Sequence, residues 1–218
     1  MDFDLLIFDL DGVLVNSSVC HGLAFRDLWE LLGVSGPPYE DIAGRKTIEV
    51  VQEYTAELKP NREQIDEWVI LKQKCARDYL TNEEIAFDDS VECLRQLTDR
   101  KQCLALGTGA SRETTLLMLQ RFGWEETFSA IVTGEDVVCG KPTPEIYLKA
   151  IDSLDVSPQK TLIMEDSHSG LAAALASNAY SVSVRSGIRI ENERFVGAFP
   201  DIRAMLNELE EVRRWNAC

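Results

Sequence analysis

Four short stretches of the chain set acids, a hydroxyl and a lysine beside glycine or proline: Asp9-Leu10-Asp11-Gly12, Thr108-Gly109, Gly140-Lys141-Pro142 and Glu165-Asp166-Ser167. Each has a plain structural use when taken singly. A carboxylate at a strand end often caps the next helix, Asp-x-Asp-Gly can be a simple turn, and a lysine before proline is usually a solvated loop residue. Together, in this order, they are the parts needed to move a phosphoryl group. An aspartate such as Asp9 can attack phosphorus and split one difficult displacement into two easier ones through an acyl phosphate. Asp11, two residues on, lies on the same side of an extended chain. There it can protonate the departing alcohol and then take a proton from water. Because a phosphate ester is already anionic, the attack needs a hard divalent cation. Mg²⁺ fits, since it takes oxygen ligands and keeps several waters, and Asp9 and Asp166 can supply carboxylates. Thr108 and the N–H groups around Gly109 suit phosphate oxygens at a helix N-terminus, and Lys141 would neutralise charge on phosphate and nucleophile alike.

Such a set works only if the fold gathers it. The runs Leu5-Leu6-Ile7-Phe8, Cys103-Leu104-Ala105-Leu106, Ala130-Ile131-Val132, Thr161-Leu162-Ile163-Met164 and Tyr180-Ser181-Val182-Ser183-Val184 are short and mostly apolar. That is the pattern of strands buried on both faces. Helical periodicity separates them over 112–122, 144–154, 169–178 and 201–213, the last with Ile202, Met205, Leu206, Leu209 and Val212 on one stripe. Strands alternating with helices predict an α/β fold, a parallel sheet covered on both sides. Ligands in such sheets bind beyond the carboxyl ends of the strands, where the four stretches fall. Residues 16–85 depart from the alternation. They are helical throughout and divide into about three helices at Gly33–Pro38 and at Lys59-Pro60-Asn61. The sequence therefore predicts a sheet-based core over 1–15 and 86–218 with an all-helical cap inserted over 16–85.

Charge narrows the partners. Lysine and arginine number 22 against 37 acids, a formal net charge of −15, which repels nucleic-acid phosphates and anionic lipid surfaces. Neither nucleic acid nor membrane is an expected partner, and no stretch approaches the ~20 apolar residues of a membrane helix. The opening MDFDLLIFDLDG has no basic start and a short, acid-interrupted apolar run, so no secretory leader is expected. Cys20, Cys75, Cys93, Cys103, Cys139 and Cys218 are scattered with no CxxC pair, which fits reduced thiols and a cytoplasmic location.

The four stretches resemble the signature of the haloacid dehalogenase superfamily, in the branch similar to β-phosphoglucomutase and phosphoglycolate phosphatase. Phe8-Asp9-Leu10-Asp11-Gly12-Val13-Leu14-Val15 is similar to the first family motif and Leu106-Gly107-Thr108-Gly109 to the second. Gly140-Lys141-Pro142-Thr143-Pro144-Glu145-Ile146-Tyr147 resembles the third, and Met164-Glu165-Asp166-Ser167 with Gly170-Leu171-Ala172-Ala173-Ala174 the fourth. The resemblance implies a Rossmann-like parallel sheet of five main strands under a helical cap that opens and closes. It implies Asp9 as nucleophile and Asp11 as general acid and base. Its magnesium ligands would be Asp9, the backbone carbonyl of Asp11, and Asp166, with Glu165 nearby or acting through water. The substrate would be a small phosphorylated metabolite, and the chain a monomer or weak homodimer.

Three departures bear on substrate. Asn16-Ser17-Ser18 stands where the family often has Asp-Ser-Glu, and Gly109 where Asn often follows the threonine. Thr47, after Gly44-Arg45-Lys46, stands where the mutases carry a phosphate-gripping arginine. His21 matches a cap histidine of mutase-like members, and His21, Arg45, Lys46 and Lys72 are the candidate substrate contacts of the cap. Asp11 argues against a dehalogenase or a phosphonate hydrolase, whose branches lack that second acid. A sugar-phosphate mutase, a catalytically silent binding module and a receiver-like domain remain as alternatives to the phosphatase.

Overall fold

The computed structural model describes residues 3–42 and 45–216, with side chains up to residue 211. Gly44, the Val212 side chain and Cys218 lie outside the described residues. The chain divides into two compact units, one of residues 1–16 and 86–218 and the other of residues 17–85.

The first unit is built on six parallel strands: β1 (Leu5–Phe8), β2 (Cys103–Gly107), β3 (Ala130–Val132), β4 (Thr161–Glu165), β5 (Tyr180–Val184) and β6 (Phe195–Phe199), ordered β3-β2-β1-β4-β5-β6. The chain steps outward from β1 through β2 to β3, then crosses back to place β4 on the other side of β1. Order reverses between β1 and β4, so the loops leaving those two strands splay apart and open a crevice at their carboxyl ends. Phe8 pairs with Met164 in register, which brings Asp9 level with Glu165. Helices α4 (Asp88–Asp99), α5 (Arg112–Phe122), α6 (Glu145–Ser153), α7 (His168–Ala176) and α8 (Ile202–Asn216) complete the unit. Leu5, Ile7, Ala105 and Ile163 point to one face and pack with Ile146, Tyr147, Ala150 and Ile151 of α6 and Ala173 and Ala174 of α7. The Ala-rich stretch thus lies close against the strands. The chain leaves and re-enters this unit side by side, through a bridge between Val15 and Ala86 and a hydrogen bond from Phe87 N–H to the Leu14 carbonyl at 3.2 Å.

Two elements were not legible from the strand and helix patterns. β6 makes a sixth strand where five main ones were expected; its run Phe-Val-Gly-Ala-Phe is half-buried at every position, and Gly197 at its centre weakens the strand signal in the sequence. α4 starts on Asp88-Asp89-Ser90, polar residues that hide the stripe of Cys93, Leu94 and Leu97 that it buries. Among the described residues no helix is long and apolar enough to cross a membrane.

The second unit holds α1 (Ser18–Leu32), α2 (Thr47–Tyr54) and α3 (Arg62–Asn82). Phe25, Leu28, Trp29, Val50, Val51 and Ile65 form its core. Gly33 ends α1 in the left-handed region at φ 63°, where glycine costs nothing. Asn61 and Gln64 close a reciprocal capping box at the start of α3.

Candidate active site

Asp9 continues β1 and is held to β4 by its N–H, which donates to the Met164 carbonyl at 3.1 Å. The chain then turns back sharply. Gly12 sits at φ +79°, its N–H donates to the Val15 carbonyl at 2.8 Å, and Leu14 and Val15 N–H both donate to the Leu10 carbonyl. A Cβ on Gly12 would lie 1.9 Å from Asp166 Oδ2. The glycine thus serves both the backbone angle and the approach of the Asp166 carboxylate to the turn that carries Asp11. Gly12→Ala is expected to lose about 1–3 kcal/mol of unfolding free energy in urea, through left-handed strain plus the clash. An unchanged midpoint would show that Asp166 moves aside freely.

Lys141 is largely but not fully buried and donates to Asp9 Oδ1 at 2.9 Å and to Glu165 Oε1 at 2.6 Å. The loop before it is pinned: the Glu145 carboxylate accepts from Val138 and Cys139 N–H, and the Thr143 hydroxyl donates to the Cys139 carbonyl. Glu165 is fully buried. Its Oε1 also accepts from the Tyr147 hydroxyl at 2.5 Å, and its Oε2 accepts from Asp166 N–H, Ser167 N–H and the Ser167 hydroxyl. Carboxylate oxygens of Asp9, Glu165 and Asp166 lie within 4.8 Å of one another.

The electrostatics follow from packing three acids around one lysine. Burial pushes the Asp9 carboxyl well above the usual range; Lys141 pulls it down, while Glu165, Asp166 and Asp11 push it further up. Burial, then Glu165, raises Asp166 to about 7. For Glu165 burial also opposes the charge, but Lys141, Tyr147 and the Ser167 N–H more than offset it and hold it below the ordinary value. Burial works against the Lys141 ammonium too, yet Asp9 and Glu165 keep its pKa well above normal. Two acids are left seeking positive charge. Their donors are all oxygen, the set a hard divalent cation prefers.

Thr108 is buried at the end of β2, its N–H donating to the Val132 carbonyl at 3.0 Å. Its hydroxyl oxygen accepts from Ala110 N–H at 3.1 Å, which leaves the hydroxyl proton to donate. Thr108 does not cap α5; Ser111 does, accepting from Thr114 N–H. Likewise Ser167, not the Glu165-Asp166 pair, caps α7. A Cβ on Gly134 would stand 2.6 Å from the Gly109 carbonyl, and Gly134 N–H donates to Ala110, so the loops after β2 and β3 lock together.

Asp9, Asp11, Thr108, Gly109, Lys141, Glu165 and Asp166 all lie in the sheet unit at strand ends or in the loops beyond them. His21 and Arg45 belong to the helical unit. There Arg45 pairs with Glu53 at 2.6 Å on an exposed face. His21 Nδ1 lies 3.0 Å from the Nζ of buried Lys72, which also sits 4.4 Å above the Phe25 ring. Tyr147 and Glu145 carry no expected role in the sequence. Both are the third-motif residues that open α6, and that proximity to Lys141 is the only signal that marks them.

Residues 6–184 match the family described as haloacid dehalogenase-like hydrolase. The chain is 30% identical over 179 residues to the phosphorylated carbohydrates phosphatase of Thermotoga maritima, covering 78% of this chain and 80% of that protein. It is 27% identical to the validoxylamine A 7'-phosphate phosphatase of Streptomyces hygroscopicus subsp. limoneus, over 97% of this chain and 96% of that one. Among solved structures, a CbbY variant from Rhodobacter sphaeroides in complex with xylulose-(1,5)bisphosphate superposes with a TM-score of 0.76 at 25% identity, covering 90% of this chain and 92% of the other. A match that runs through the ends of β1, β2 and β4 and most of the sequence between them leaves one assignment: the chain belongs to the haloacid dehalogenase-like hydrolases.

Proposed function

We propose that the protein is a magnesium-dependent phosphatase acting on a small phosphate monoester, of the phosphoglycolate or sugar-phosphate class, through an aspartyl-phosphate at Asp9. One observation carries this reading: Lys141 donates to Asp9 while a carboxylate oxygen of Asp166 lies within 4.8 Å of one on Asp9. Asp9 Oδ attacks phosphorus, and the bond to the ester oxygen breaks as that oxygen takes a proton from Asp11. Asp11, now a carboxylate, then removes a proton from water as the water oxygen attacks the phosphorus of the aspartyl-phosphate, returning Asp9 and releasing inorganic phosphate. Thr108 donates its hydroxyl proton to a phosphoryl oxygen, the Gly109 N–H binds a second, and Lys141 offsets the charge gathering on both. Asp9, the Asp11 carbonyl and Asp166 would hold magnesium, which would supply positive charge to relieve repulsion between carboxylate and phosphate. In this reading residues 17–85 form the cap that selects substrate, with His21 and Arg45 as its candidate contacts.

The test is a screen of phosphorylated metabolites by phosphate release, with magnesium and with excess chelator. The expected outcome is release of one phosphate per ester cleaved, kcat/KM highest for esters of about two to six carbons, and a fall of ~100-fold or more in chelator. Full activity in chelator would contradict the metal role. Isomerised sugar phosphate without release would mark a mutase.

A further inference from the structure

We propose that Tyr147 is a positioning residue for Lys141, acting through Glu165, and that Glu165 serves as this relay and not as a metal ligand. The proposal rests on the phosphatase reading above and extends it. An ionised carboxylate offers about four lone-pair sites. Glu165 meets five donors: Lys141 Nζ and the Tyr147 hydroxyl on Oε1, and Asp166 N–H, Ser167 N–H and the Ser167 hydroxyl on Oε2. No site is left for a cation, although a Glu165 oxygen falls within 4.8 Å of Asp9 and Asp166.

Glu165 is also walled in. It is fully buried, and a Cβ on Gly170 of α7 would lie 1.8 Å from its Oε1, so the carboxylate rests against the first turn of that helix. Tyr147 is as firmly seated. Its ring is fully buried against Gly107 of β2, where a Cβ would come within 3.0 Å of Cε1. The Lys141 ammonium lies 5.1 Å from the centre of the same ring. A rigid line of contacts therefore runs from β2 through the Tyr147 ring and hydroxyl to Glu165, then Lys141, then Asp9. Glu165 Oε1 is shared by Tyr147 at 2.5 Å and Lys141 at 2.6 Å. Without the tyrosine hydroxyl that oxygen would accept from lysine alone, drawing the ammonium off Asp9 and away from the phosphoryl group. Displacements of this kind act on the chemical step more than on substrate capture.

The test pairs Tyr147→Phe and Glu165→Gln, assayed on para-nitrophenyl phosphate and titrated with Mn²⁺ by EPR, beside Asp166→Asn. Tyr147→Phe keeps the packed ring and removes only the hydroxyl. It is expected to lower kcat by ~5–30-fold with KM within ~2-fold and with Mn²⁺ affinity unchanged. Glu165→Gln is expected to lose activity while keeping Mn²⁺ affinity within ~3-fold, whereas Asp166→Asn loses at least ~10-fold. A Tyr147→Phe enzyme with wild-type kcat, or a Glu165→Gln protein that loses Mn²⁺ as severely as Asp166→Asn, overturns the proposal while the phosphatase reading stands. Wild-type protein releasing no phosphate overturns both.

Discussion

Asp9→Asn is expected to abolish phosphate release, with kcat down by at least ~10⁴-fold, the scale seen when a nucleophile is removed from a preorganised site. Asparagine keeps the shape of aspartate and leaves the β1 backbone bond to Met164 untouched, but its amide oxygen is a poor nucleophile and cannot form an acyl phosphate. The loss should come without damage to the fold. Asp9 is a buried acid whose charge is opposed by burial, supported by Lys141, and opposed again by Glu165, Asp166 and Asp11, with opposition prevailing, so neutralising it gives net relief. Phosphate release by colorimetric assay and melting by calorimetry check the two halves. Residual turnover within ~100-fold of wild type would rule Asp9 out as the nucleophile.

Asp166→Asn should separate stability from activity more sharply still. The carboxyl is raised to about 7 in the folded chain against an ordinary 3.8, by burial and by Glu165. The native state therefore holds this proton more tightly than the unfolded state does. Stability from Asp166 is fully present below the unfolded value, declines as pH rises from about 4 toward about 7, and is lost above that. At pH 8 without metal, the ionised group costs the fold on the order of 4 kcal/mol. Asparagine removes that cost, so metal-free Asp166→Asn should melt several degrees higher than wild type at pH 8 and show little difference at pH 4. Saturating magnesium should then stabilise wild type and leave the variant nearly unmoved, with kcat/KM reduced by ~100-fold or more. Equal melting temperatures at pH 8 without metal would show that Asp166 is not under electrostatic strain. A common rise in magnesium would remove it from the ligand set.

The strand-end acids were legible because they are local. A buried parallel strand announces itself as a short apolar run, and the residue after it must lie at the sheet's carboxyl edge wherever the rest of the chain goes. Asp9, Thr108 and Asp166 follow from β1, β2 and β4 on that ground, and Lys141 follows from the loop after β3. The capping alternatives could not be settled in the same way. Thr108 and Glu165 stand close to helix starts in sequence, but Ser111 and Ser167 take the N-cap positions, and only the backbone path decides which side chain reaches the free N–H groups. β6 escaped because Gly197 breaks its apolar run at the centre, and its half-burial at the sheet edge depends on the neighbours that the fold gives it.

By itself, then, the sequence determined which groups are on offer: oxygen donors, an aspartate able to act as a nucleophile, a second acid two residues on, and one lysine, all at the mouth of a parallel sheet. Tertiary structure decided how those groups divide their partners. It set Glu165 against Lys141 and Tyr147, placed Asp166 under the Gly12 turn, and gave the two neighbouring acids opposite shifts, one lowered and one raised. The physical reason is that residue type and strand-end position are properties of a short segment. Burial, lone-pair allocation and pKa depend on which side chains from β1, β4, α6 and the loop after β3 meet within a few ångströms, and separations of 24 and 132 residues along the chain leave no trace of that in the local sequence.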